Sequence, residues 1–473
     1  MVITADSSLP LVIQGGMGAG ISCWRLARAV ARRGQLGVVS GVGLDSLLVR
    51  RIEDGDPGGH MRQAAAQFPI RQALTTLERF LRPRQKGADA PYTLVPMYGV
   101  KAGVARQQLA MLAAFVEVWL ARAGHDGPVG INLLTKIQPP TLATLYGAML
   151  AGVDYVLMGA GIPREIPGAL DRLAVHQPAE LRLDVVGAAR DDAPVLLRFD
   201  PADHWDVIPW PVKRPKFLPI VASTSLATVL VRKATGCVDG LVIEGPTAGG
   251  HNAPPRGELR VDEGGEPLYG PRDAVDLEKI RELGVPFWLA GGTGSPEGLR
   301  AAREAGAAGI QVGTLFAYCD ESGLAEPLKR SVLAHAARGE VRVRTDMRAS
   351  PTGYPFKVVE WADDPAAGVT RTRICDLGYL REAARTGDGR VVFRCPGEPE
   401  DDYVRKGGRL EETIGRRCLC NALLATAGQP QRRAGQSAEP AIVTSGDELM
   451  HIDRFLAGRS RYGAADVLDY LLG

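Results

Sequence analysis

The sequence predicts an α/β chain closed into a (β/α)8 TIM barrel. Three observations predict it: short apolar runs recur, helix-like segments follow most of them, and glycine-rich turns stand where the runs end. The eight runs are Leu11 to Gln14, Gly37 to Ser40, Val129 to Leu133, Asp154 to Met158, Leu218 to Ala222, Gly240 to Glu244, Pro286 to Ala290 and Gly309 to Val312. Eight is the number that closes such a barrel. An open doubly wound sheet uses the same units and is the competing architecture.

The helical segments SCWRLARAVARRG, TLATLYGAMLAG, TSLATVLVRKATG, DAVDLEKIRELG and SPEGLRAAREAG each begin near Ser, Thr or Asp and end at Gly. Those are start and stop signals in the right places. Two stretches break the rhythm. The 88 residues from Gly41 to Pro128 far exceed an ordinary connection and include a helix-like ARQQLAMLAAFVEVWLARAG; their first part is expected to cover the barrel mouth. After the fourth run, LRLDVVG and PVLLRFD read as two strands of a hairpin. The expected organisation is a barrel over residues 1–340 with an insertion at about 44–128. A C-terminal extension, 341–473, either packs on the barrel or forms a small subdomain.

With 473 residues, the chain accommodates a barrel of about 250 residues plus these additions. Fifty-six basic against 54 acidic residues leave a net charge of +2 with no long run of one sign, which sets nucleic acid aside as a partner. MVITADSSLP has neither a basic nor an apolar leader segment, and no stretch approaches 18 uninterrupted apolar residues. The expectation is a cytoplasmic protein that does not engage a membrane.

In a barrel, chemistry sits on the loops after the C-terminal ends of the strands. AGGTGSPEGL follows the seventh run and QVGTLFAYC ends the eighth, so free backbone N–H groups of Gly291, Gly292, Gly313 and Thr314 can cradle a phosphate. A single Gly-Gly would be read as a tight turn; two such turns on adjacent strands make the stronger signal. In QGGMGAGIS, Gly15 and Gly16 let backbone lie against a flat ring and Met17 adds a polarisable contact, although the stretch alone also suits a glycine-rich helix start. GGMGAG resembles a dinucleotide fingerprint only superficially, since VVSG ends the second run without an acidic ribose partner. Asn132 in INLLTKIQPP can donate and accept toward a ring edge, with Lys136 four residues on, against the bland reading of a loop cap and a solvated charge.

EGPTAGGHNAPPRG, after the sixth run, is the most informative stretch. His251 follows two glycines on a proline-rich loop, and imidazole suits a general base or an anion stabiliser. Loop histidines are commonly exposed and idle, but this one stands at a strand end beside the phosphate loops. His60, in DPGGHMR, is the rival.

IQGGMGAGIS, INLL, EGPTAGGHNAPPRG, AGGTGSPEGLRAA and GIQVGTLFA together resemble the nitronate monooxygenase family, formerly 2-nitropropane dioxygenases, over roughly residues 9 to 360. The resemblance implies an FMN-dependent barrel related to flavin-dependent enoyl-acyl carrier protein reductases. It implies His251 at the flavin's reactive face, Gly291, Gly292, Gly313 and Thr314 at the phosphate, and Gly15, Gly16, Met17 and Asn132 on the isoalloxazine. Gly250 belongs to the same Gly-Gly-His loop, and Ser223 borders the site. The implied reaction is oxidation of a nitronate by dioxygen to a carbonyl compound and nitrite, with His251 deprotonating a neutral nitroalkane or stabilising the anion. The insertion, the long tail and NAPPRGELRVDEGGEPLYGPRD depart from the family, which leaves the substrate open. SPTGYPFK resembles a segment that folds back over the mouth in the reductase-like relatives.

Two other functions compete: an NAD(P)H-dependent reductase of an enoyl thioester or quinone, and a non-catalytic flavin-binding scaffold whose tail meets a partner. The expected partners are a small-molecule substrate and dioxygen, with a homodimer left open.

Seven cysteines in a chain without an export signal argue for free thiols or a metal. Cys375, Cys395, Cys418 and Cys420 crowd the tail and predict a zinc site, ranked above an iron–sulfur cluster, with buried structural thiols as the alternative.

Overall fold

The computed structural model describes residues 9–81, 90–433 and 436–473. Eight parallel strands form a closed barrel in sequential order: β1 (Val12–Gln14), β2 (Leu36–Ser40), β3 (Val129–Leu134), β4 (Tyr155–Gly159), β5 (Lys216–Val221), β6 (Leu241–Glu244), β7 (Phe287–Ala290) and β8 (Gly309–Val312). Each expected run is a barrel strand. The runs are apolar on both faces because one face fills the barrel and the other meets the helices. Ile13, Leu36, Val38, Leu157, Leu218 and Trp288 plug the interior. The buried Trp288 indole N–H donates to the Pro10 carbonyl at 2.8 Å, so its polar atom is satisfied.

Helix starts follow the local capping chemistry at three of the expected places. Ser223, Asp276 and Ser295 accept from the backbone N–H of Leu226, Lys279 and Gly298. Ser22 does not cap the first helix. Its hydroxyl instead donates to the Gly15 carbonyl and accepts from the Met17 N–H, both at 2.8 Å, pinning the β1 loop.

The long connection after β2 contains Leu44–Glu53, His60–Ala65 and Gln72–Phe80 before Val104–Arg122. The last is apolar and long enough to cross a membrane, but it is mostly buried, between Trp24–Ala31 and Thr141–Leu150 in the helical layer. The expected hairpin forms as Ala179–Arg182 against Leu196–Phe199.

The tail is threaded through the rest of the molecule. Arg342–Asp346 and Phe356–Glu360 form an antiparallel pair. Glu382–Arg385 pairs both with Val391–Arg394 and with Val185–Val186 from the β4–β5 connection. The final helix, Ala464–Leu472, lies against Trp24–Ala31 and Pro296–Glu304, with Asp469 ion-paired to Arg33. The Tyr379 hydroxyl meets Ser46 at 2.6 Å and also Asp45, tying the tail to the insertion.

Candidate functional site

A cavity of about 500 Å³ opens at the C-terminal ends of the strands. Gly15, Gly16, Met17, Asn132, Ser223, Gly250, His251, Gly291, Gly292, Gly313 and Thr314 all border it. His60 does not; its ring packs at a tilt against Trp24, with centroids 5.2 Å apart. Lys136 is also absent from the lining, with its ammonium 5.3 Å from the Tyr354 ring centroid.

On the β1–β3 side, Asn132 Nδ2 donates to the Gly16 carbonyl at 3.1 Å, which fixes the amide's orientation. Its Oδ1 is then a buried acceptor without a partner among the described residues, and so is Oε1 of Gln311, a β8 residue that borders the same cavity. Buried acceptors left open in this way mark places for a ligand's N–H or O–H. Gly16 is required sterically, because a Cβ there would stand 2.2 Å from Asn132 Cβ.

On the opposite side, Gly291 and Gly292 have φ of +85° and +73°, a left-handed turn that glycine adopts without strain. The tail reaches this turn. Gly446 N–H donates to Thr314 Oγ1 at 3.2 Å, and Glu448 Oε1 accepts from Gly294 N–H at 2.5 Å, so Gly294 N–H is already engaged. Burial raises the Glu448 carboxyl above its usual range.

The Gly-Gly-His loop is held by the tail as well. Gly250 N–H donates to Thr444 Oγ1 at 2.9 Å, and Lys357 N–H donates to the Gly250 carbonyl at 2.9 Å. A Cβ on Gly249 would lie 2.7 Å from the Ser445 carbonyl carbon, so the two backbones cross closely. His251 Nε2 shares a 2.7 Å hydrogen bond with Ser350 Oγ, and the ring packs edge-on to Phe356 with centroids 4.9 Å apart. No partner is found for Nδ1 among the described residues. Although the ring borders the cavity it lies deep in the protein, and desolvation pushes its pKa down to about 4, so it is neutral near pH 7. Glu244, at the end of β6, also lies deep in this cavity. Desolvation pushes its carboxyl up to about 8, so it is mostly protonated at pH 7 and can donate a hydrogen bond.

Residues 210–355, covering β5 to β8 and the loops just described, match the family model for nitronate monooxygenase. This stretch resembles the nitronate monooxygenases. A probable nitronate monooxygenase of Staphylococcus haemolyticus is 31% identical over 123 residues, 26% of this chain and 33% of that protein. The imidazole glycerol phosphate synthase subunit HisF of Xanthomonas oryzae pv. oryzae is 29% identical over 169 residues, 35% of this chain and 61% of that protein. The chain thus spans between a third and about three fifths of the length of these relatives. Among solved structures, FabK from Thermotoga maritima is 17% identical with a TM-score of 0.48, covering 98% of this chain and 91% of its own.

Two expectations need correction. Among the described residues of the connection after β2, Val42 and Gly43 alone border the cavity, so the expected cover by the insertion is not seen there; Tyr354 and Phe356 of the SPTGYPFK segment and Val443 to Gly446 of the tail border it too. The zinc expectation is not supported, because no group of three or more His, Cys, Asp or Glu side chains among the described residues is placed to hold a metal ion. Residues missed from sequence were Glu244, Gln311, Ser350 and the Thr444–Glu448 loop. Glu244 was legible, being an acid at the C-terminal end of a barrel strand. Ser350 opens SPTGYPFK, which was expected over the mouth, whereas Thr444–Glu448 gave no local signal.

Proposed function

We propose that the chain is an FMN-dependent oxidoreductase that oxidises a nitronate, or a similarly stabilised carbanion, with dioxygen as the acceptor, yielding a carbonyl compound and nitrite. The observation that carries this reading is the convergence of all eleven expected cofactor and catalytic residues on one cavity. The residues fit the cofactor: Asn132 and Gln311, each with a buried side-chain oxygen that has no partner among the described residues, line a glycine-walled space. When bound, FMN supplies the electron-transfer and dioxygen chemistry.

The chain's own contribution is placement and proton control. Backbone at Gly15 and Gly16 offers a flat wall to the ring system, and Asn132 Oδ1 accepts from a ring N–H. Amides at Gly292, Gly313 and Thr314 take the phosphate. His251 acts through Nδ1. The Ser350 hydroxyl can donate to Nε2 or accept from it, so either tautomer is supported and Nδ1 can present an N–H to a nitro oxygen or a lone pair to an acidic C–H. With its pKa lowered to about 4, His251 is a weak base, which favours a substrate that arrives already ionised.

A second reading, NAD(P)H-dependent reduction of an enoyl thioester or quinone, is favoured by the apolar part of the cavity wall, where Ile162, Leu226, Leu324 and Leu423 suit a longer apolar substrate. Anaerobic mixing of the FMN-loaded protein with propyl nitronate and, separately, with NADH distinguishes them. Bleaching of the oxidised flavin by nitronate, with nitrite formed when air returns, is expected. Bleaching by NADH and not by nitronate would replace this proposal with the second reading.

A further inference from the structure

The four tail cysteines come together in space although they are spread over 46 residues of chain, Cys375 to Cys420. All four border one small cavity of about 10 Å³, together with Gly378, Leu380, Arg381, Gly397 and Leu419. None is in a disulfide. A structural thiol core would pack shut, since buried thiols behave as small hydrophobes and interiors fill to crystal-like density. Here the thiols surround a space instead.

The hydrogen bonds point the same way. Backbone N–H groups of Gly397, Asn421 and Leu380 are directed at the sulfurs of Cys395, Cys418 and Cys420, and Asn421 Nδ2 donates to Cys418 Sγ at 3.5 Å. Amide donors stabilise thiolates and metal-bound sulfides far more than neutral thiols. The Arg381 guanidinium borders the same space, and Arg371 lies near Cys418.

The size of the space selects the ligand. A cavity that admits a water-sized sphere keeps every sulfur roughly 3.2 Å or more from its centre, whereas zinc–thiolate bonds are about 2.3 Å. The sulfurs therefore do not close on one ion, in keeping with the absence of a single-ion site among the described residues. A cubane cluster instead puts an iron between its centre and each cysteine, and four cysteines are its usual ligand set.

We propose that Cys375, Cys395, Cys418 and Cys420 ligate a four-iron iron–sulfur cluster. Binding releases four thiol protons, one per cysteine, and the Arg371 and Arg381 guanidinium groups offset the negative charge of the cluster with its thiolates. The site shares Leu380, Leu419 and Cys420 with the wall of the main cavity, so the cluster lies directly behind it.

The test is metal analysis of the full chain purified without oxygen and reconstituted with ferrous iron and sulfide. About four irons and four acid-labile sulfides per chain are expected, with a paramagnetic resonance signal after dithionite reduction. Cys395→Ser should lose most of the iron, while Cys237→Ser, an exposed thiol elsewhere, keeps it. One zinc per chain without iron, or no iron and sulfide retained by the wild-type chain after reconstitution, overturns the proposal whatever the folding of the variants.

Discussion

Gly446→Ala separates the tail's part in the site from that of the barrel. Gly446 has φ near −78°, so alanine meets no backbone strain there. Its Cβ would, however, stand 2.8 Å from Thr314 Oγ1 and 2.9 Å from the Thr247 carbonyl oxygen, against ordinary contacts of 3.4–4 Å. The loop must retreat by several tenths of an ångström, which stretches the Gly446 N–H to Thr314 hydrogen bond. Overpacking of this kind costs about 1–3 kcal/mol, and if that strain falls on Thr314 it weakens FMN binding roughly five- to 150-fold. Fluorescence titration of the apoprotein with FMN measures this. Gly270→Ala, where an added Cβ meets open space, is the control. An FMN affinity equal to the wild type, with an unchanged melting temperature, would refute the claim that the tail loop bears on the phosphate side of the site.

Four further outcomes are expected. His251→Ala should keep its yellow FMN and lose most turnover with neutral nitroalkane, with a smaller loss on preformed nitronate; equal activity on both in variant and wild type would remove His251 from the proton step. Ser350→Ala leaves His251 Nε2 without its partner and should lower kcat by about three- to tenfold, the worth of one hydrogen bond, without loss of bound flavin in absorbance spectra. Gly292→Val places a branched side chain at φ +73° and 3.1 Å from Thr247 Oγ1, and should leave the purified protein poor in FMN; a fully loaded variant would displace the phosphate from that loop. Glu244 carries a folded-state pKa of about 8, raised above the usual 4.5, so its contribution to stability is full below 4.5 and is lost as pH rises through about 8. Denaturant titrations of the apoprotein should show this decline in the wild type and a flatter profile in Glu244→Gln.

His251 has the opposite sign. Its folded-state pKa is depressed to about 4 from 6.5, so the stability present above 6.5 falls as pH drops toward 4 and the buried ring is forced to charge. The two slopes oppose each other between about 4.5 and 6.5, so the empty site is most stable in that overlap and loses stability as pH rises above 6.5 or falls below 4.5.

The barrel and its glycine loops were readable along the chain because their determinants are local. A parallel strand buried on both faces must be apolar throughout, as in LGVVS and FWLA, and a turn at positive φ must be glycine, as at Gly291 and Gly292. The site residues follow from the same rule, since a strand's C-terminal end specifies where its next loop begins. What only the tertiary structure decided is which distant segments complete the site. Ser350 reaches His251, Gly446 and Glu448 reach the Gly-Thr and Gly-Gly loops, and four cysteines meet around one cavity. No periodicity encodes such contacts, because they depend on the path of an irregular tail that is held in place by hydrogen bonds and close backbone crossings rather than by a repeating hydrophobic face.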